Sequence, residues 1–155
     1  MKNVLLLVLL FGTSHFTLAQ NQGKVVEGLI IKSDILGKEV SYTMYFPPGF
    51  DYSERTYPVL YLLHGYTDDD TGWVQFGEVN RYAGEAIAAG EIPPMVIAMP
   101  DGGVSWYINS YDGETKYEDF FIQEFMPAIE KNPKIKSQKR FRGIAGLSMG
   151  GYGTL

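Results

Sequence analysis

The chain of 155 residues contains no cysteine, which removes disulfide scaffolds, thiolate metal sites and cysteine nucleophiles together. Only two histidines are present, His15 and His64, too few for a histidine-built metal centre. No metal and no cofactor are expected. Positive charge is also in short supply: the net charge is −5, a poor match for a nucleic-acid backbone, so nucleic acid is not an expected partner. Long apolar runs are missing as well, since Val4 to Phe11 falls far short of the ~20 residues a membrane-spanning helix needs. What the chain does have is apolar and aromatic volume, 45% and 14% of residues. That is enough for a packed core, and the length suits one domain.

The first residues read as a secretory leader. Lys2 supplies a positive start, Val4 to Phe11 an apolar stretch, and Thr17-Leu18-Ala19 places small residues at the positions a signal peptidase requires before Gln20. Residues 1–19 are therefore expected to be a signal peptide, with a periplasmic or secreted protein left by cleavage and no membrane span after it. His15 would depart with the leader.

In the remaining chain, Val25 to Lys32 and Val40 to Phe46 are rich in β-branched and aromatic residues and read as an antiparallel pair turned at Leu36-Gly37-Lys38. From Pro58 the pattern changes. Pro58 to Leu63 and Met95 to Met99 are nearly continuous apolar runs, as expected of strands covered on both faces. Between them Trp73 to Ala89 has helical spacing and closes at Gly90. A second helix is expected to open at Thr115 with Glu118 as a capping box. Its inward face would be Tyr117, Phe120, Phe121, Phe125 and Ile129, with a kink at Pro127. Arg142 to Leu147 is the last strand. The order β-α-β-α-β with short connections implies a parallel sheet with right-handed crossovers.

Gly146-Leu147-Ser148-Met149-Gly150 fits G-x-S-x-G, the elbow that turns a strand sharply into a helix and presents a serine nucleophile. The turn forces the serine into strained backbone, and side chains at Gly146 and Gly150 would collide with the neighbouring strand and helix. The bare pattern is common in glycine-rich chains, but here an apolar strand precedes it and a small-residue helix start follows. Ser148 is thus the candidate nucleophile. An attacking serine needs N–H donors for the oxyanion. Met149 N–H is one candidate, and Tyr66 N–H, after the Leu62-Leu63-His64-Gly65 strand end, is the other. His64 precedes Ser148 in the chain, whereas the acid and histidine of this architecture follow it. His64 is therefore expected to fix its loop by hydrogen bonding, and Asp101 is a poor candidate for the acid on the same ground.

His64-Gly65, Met99-Pro100-Asp101, Ser105-Trp106-Tyr107 and the run from Ile144 to Gly153 resemble the esterase D type of α/β-hydrolase. That group includes tributyrin-type, feruloyl and acetylxylan esterases, S-formylglutathione hydrolase and mycolyltransferases. The likeness runs from about residue 25 to the end. It implies an α/β-hydrolase fold over residues 20–155, a mostly parallel sheet with an antiparallel start and helices on both faces. It also implies Ser148 as the acyl-accepting nucleophile with Tyr66 and Met149 as oxyanion donors. The family's acid and histidine have no counterpart here, so the triad is expected to be completed beyond Leu155. The chain is accordingly expected to be an N-terminal fragment, unable to catalyse alone, with Arg142 to Leu147 as an unpaired sheet edge.

The expected activity is exported hydrolysis of carboxylic esters through an acyl-enzyme, on short-chain esters or feruloyl and acetyl groups of polysaccharides. The alternatives are acyl transfer to a sugar and a non-catalytic binding module on the same fold. Trp73, Trp106 and Tyr107 follow strand ends and either line a substrate pocket or pack beneath loops. Asp68-Asp69-Asp70 lacks the pattern of a calcium loop and is expected to be a solvated acidic loop.

Overall fold

The computed structural model describes residues 23–155. The expected leader, residues 1–19, and His15 lie outside the described residues. Strands β1 (Lys24–Ser33) and β2 (Lys38–Phe46) are followed by β3 (Val59–Leu63), short helices α1 (Gly72–Gln75) and α2 (Val79–Ala88), and β4 (Val96–Pro100). Then come α3 (Tyr117–Phe120), a π turn over Phe121–Phe125, α4 (Met126–Glu130), β5 (Arg142–Gly146) and α5 (Met149–Tyr152). The five strands form one sheet in the order β1-β2-β4-β3-β5. β1, β2 and β4 pair antiparallel, whereas β3 pairs parallel with both β4 and β5. This is the antiparallel start and parallel continuation expected from the sequence.

The continuous apolar runs of β3 and β4 are explained by two cores. Alternate residues point to opposite faces of a strand, so Val59, Tyr61, Leu63, Val96 and Ala98 enter a core with the aromatic residues of α3 to α4. Leu62, Ile97 and Met99 enter a second core against α1 and α2, where Trp73, Ala83 and Ile87 pack. The inward face predicted for the later helix is buried throughout: Tyr117, Phe120, Phe121, Phe125 and Ile129 are each less than 9% exposed. Edge-to-face packing of Phe121 and Phe125 on Tyr61 joins that face to the sheet.

Local features depart from the sequence reading. The expected helix Trp73 to Ala89 is two helices: the first ends at Gln75, and Glu78 takes a left-handed backbone at φ 47° directly before the second. The capping box at Thr115 does not form. Thr115 is paired instead with Ser110, whose backbone N–H donates to the Thr115 carbonyl at 2.7 Å and whose hydroxyl accepts the Thr115 N–H at 2.9 Å. The helix starts at Tyr117, and Asn109 Oδ1 accepts the Asp119 N–H at 3.2 Å in place of a capping hydroxyl. The distortion expected at Pro127 falls just before it as the π turn, where Met126 N–H reaches back to the Phe121 carbonyl. A proline cannot donate to the carbonyl four residues earlier, and the widened turn absorbs that loss. β5 pairs only with β3 among the described residues, and Ile144 and Leu147 at that edge are 42% and 61% exposed.

Candidate active site

The loops that leave β3, β4 and β5 lie at the carboxyl ends of the three parallel strands, the edge where open α/β sheets bind ligands. Four of the five non-glycine residues with positive φ among the described residues lie in these loops: Thr67, Trp106, Tyr107 and Ser148. Such backbone costs about 1–3 kcal/mol per residue and persists only where the surroundings impose it.

Ser148 is exposed and sits at φ 52°, ψ −112°, directly before the first residue of α5. The two elbow glycines explain how it is held. A β-carbon on Gly150 would stand 2.6 Å from the Leu63 carbonyl carbon and 2.7 Å from the His64 oxygen, so α5 begins in backbone contact with the end of β3. A β-carbon on Gly146 would stand 2.9 Å from Gly150 Cα. Only glycine at both positions lets strand, turn and helix close this tightly. Gly65 completes the approach from the other loop, with its β-position 3.9 Å from Ser148 Cβ. No described residue accepts a hydrogen bond from the N–H of Tyr66 or of Met149. Met149's side chain is fully buried, whereas the Tyr66 ring is 54% exposed.

His64 is 1% exposed and both ring nitrogens are engaged within the scaffold. Nδ1 pairs with the Gly65 carbonyl at 2.8 Å, and Nε2 accepts the Gly102 N–H at 2.8 Å. This arrangement assigns the neutral tautomer protonated at Nδ1. It leaves no lone pair for Ser148, in keeping with the loop-fixing role read from its position. Burial alone would lower the imidazole pKa. Asp101, with Oδ1 3.5 Å from Nε2, and the Gly65 carbonyl bring it above its ordinary value. Contact with His64 in turn holds the Asp101 carboxyl below the usual range against partial burial.

The three candidate pocket aromatics have different surroundings. Tyr107 is 5% exposed and packs edge-on to His64, beneath the loops; burial pushes its phenol pKa well up. Trp73 is half-buried against the second core, its indole N–H without a partner among the described residues. Trp106 is at the surface, its ring between Tyr66 (centroids 6.2 Å) and Tyr152 (5.7 Å). Sequence reasoning missed Tyr152, although one helical turn separates it from Ser148, whose carbonyl accepts the Tyr152 N–H at 3.0 Å.

The acidic triplet is the solvated loop expected at Asp69, which is exposed, but not at Asp70. Asp70 is 6% exposed and accepts from Ser41 Oγ at 2.8 Å and Thr43 Oγ1 at 2.7 Å. It bolts the loop after β3 to strand β2. No group of three or more residues suited to a metal occurs among the described residues.

Fold and elbow together define an α/β-hydrolase, and comparison with known proteins specifies the family. The profile of the family described as "Putative esterase" matches residues 33–155, and the chain belongs to that family. It is similar to Esterase MT1326 of Mycobacterium tuberculosis, 36% identical over 129 residues, covering 80% of this chain and 27% of the relative. An endo-1,4-beta-xylanase/feruloyl esterase of Xylanibacter ruminicola is 34% identical over 130 residues, covering 79% of this chain and 18% of the relative. Among solved structures, a ferulic acid esterase superposes with a TM-score of 0.79 at 37% identity, over 86% of this chain and 52% of that one. The chain thus spans about a quarter or less of these two relatives and about half of that structure.

Proposed function

We propose that the protein is a serine carboxylic-ester hydrolase, and the observation that carries this is the strained backbone of Ser148 between two glycines that admit no side chain. In this reading Ser148 Oγ attacks the ester carbonyl and gives its proton to a general base. The carbonyl oxygen takes up the negative charge and is met by the N–H groups of Tyr66 and Met149. Collapse of the tetrahedral species breaks the bond to the alcohol, which leaves with the proton, and water then releases the acid from the acyl-serine. His64 is not the base, because both of its nitrogens are engaged elsewhere. No described residue is assigned as the base or its acid.

The substrate class we favour is an ester carried on a plant polysaccharide, feruloyl or acetyl, acted on after export. Support comes from the relatives named for feruloyl and ferulic acid esters, from the exposed Trp106 beside Tyr66 and from the leader-like residues 1–19. No described helix is long and apolar enough to cross a membrane. Ser148→Ala in the intact gene product should lower kcat for p-nitrophenyl acetate by ~10⁴ to 10⁶ with an unchanged circular dichroism spectrum. Retention of a tenth of the activity would exclude Ser148 as nucleophile.

A further inference from the structure

Tyr107 joins three segments that are far apart in sequence. Its hydroxyl accepts the His64 N–H at 2.9 Å and lies 3.3 Å from the His64 carbonyl, to which it donates. One oxygen thereby bridges the two peptide groups that flank His64, immediately before Gly65 and Tyr66. The ring of Tyr107 also fills the place of a side chain at Gly102, where a β-carbon would fall 2.6 Å from Cζ. On its other side, a β-carbon on Gly153 would fall 2.7 Å from Tyr107 Cβ. Gly153 directly follows α5, the helix that starts after Ser148. The same side chain therefore contacts the loop proposed to bind the oxyanion, the loop after β4 and the end of the nucleophile helix. Its backbone is held at φ 60°, next to Trp106 at φ 59°, so the chain takes up disfavoured geometry to deliver this ring.

Packing alone does not account for the choice of residue, since phenylalanine would fill the same space. The hydroxyl is what distinguishes tyrosine here, and it contacts the backbone of the proposed oxyanion loop. We infer that Tyr107 is a positioning residue whose hydroxyl fixes the direction of the Gly65–Tyr66 backbone, and with it the oxyanion donor, relative to Ser148. The inference rests on the proposed hydrolysis at Ser148. An oxyanion donor acts on the transition state more than on the bound ester, so displacing it lowers kcat and leaves KM nearly unchanged.

The test compares Tyr107→Phe with Tyr117→Phe in the intact gene product. Tyr117 is an equally buried tyrosine whose hydroxyl donates to the Asp101 carbonyl at 2.9 Å and does not bond to the oxyanion loop. Tyr107→Phe should lose about tenfold or more in kcat, a part of what removing a whole donor costs, with KM within about twofold. Its affinity for a trifluoromethyl ketone, which forms an oxyanion adduct with serine, should fall by the same factor as kcat. Tyr117→Phe should keep the wild-type value of both. Wild-type kcat in Tyr107→Phe, or an equal loss in Tyr117→Phe, would overturn the inference. Hydrolysis surviving in Ser148→Ala would instead overturn the reading of the nucleophile.

Discussion

Along the β1–β2 ribbon the left-handed backbone positions are taken by glycine: Gly28 at φ +69° and Gly37 at φ +65°, each with open space where a side chain would stand. In the loops after β3, β4 and β5 the same region of backbone is occupied by Thr67, Trp106, Tyr107 and Ser148. A ribbon whose task is to pair strands relieves strain with the one residue that has no β-carbon. At the other end of the sheet Ser148, Trp106 and Tyr107 present a hydroxyl and rings that glycine cannot supply, so the strain is retained and contained by close packing around it. Gly103 at φ +50° and Gly113 at φ +76°, in the loop after β4, still take such backbone in open space, but the glycines of the elbow do a different job. Gly146 and Gly150 have ordinary φ, and they are glycine because neighbouring backbone occupies the space of a side chain.

That contrast can be broken most severely at Gly150. Gly150→Ala places a methyl group 2.6 Å from the Leu63 carbonyl carbon, which must push α5 and Ser148 away from the loop after β3. A displacement of this kind costs about 100-fold in rate, and the variant's kcat for p-nitrophenyl acetate checks it. A wild-type rate would mean that the close approach is unnecessary. A smaller effect on activity is expected where the two regions are tied together. Asp70→Ala removes the carboxylate that holds Ser41 and Thr43 of β2 and should cost about 3 kcal/mol in urea denaturation, felt in stability before kcat. The smallest belongs to the ribbon: Gly28→Ala, at positive φ with nothing within 4 Å, should cost about 1 kcal/mol of stability and no activity.

Much of this was legible in the sequence because it depends on local pattern. The apolar runs at Pro58 to Leu63 and Met95 to Met99 fall within a residue or so of β3 and β4, and the buried face of the later helix was read correctly from its spacing. The G-x-S-x-G motif marked the turn at which Ser148 is strained. What stayed hidden depends on partners distant in the chain. Asp70 looks solvated beside Asp68 and Asp69 until β2 brings Ser41 and Thr43 to it. Thr115 looks like a cap until Ser110 takes up its backbone. The break between α1 and α2 does contain a glycine, Gly77, but the left-handed backbone falls on Glu78 beside it, and nothing local distinguishes Tyr107, around which His64, Gly102 and Gly153 meet.

The most direct test of the central claim, that the strained serine is the nucleophile, is to treat the intact gene product with a fluorophosphonate and locate the adduct by peptide mass spectrometry. The account predicts one phosphonylated residue, Ser148, with hydrolysis lost in step with labelling and no adduct in Ser148→Ala. An adduct on another residue that accompanies the loss of activity, or undiminished labelling of Ser148→Ala, would contradict it.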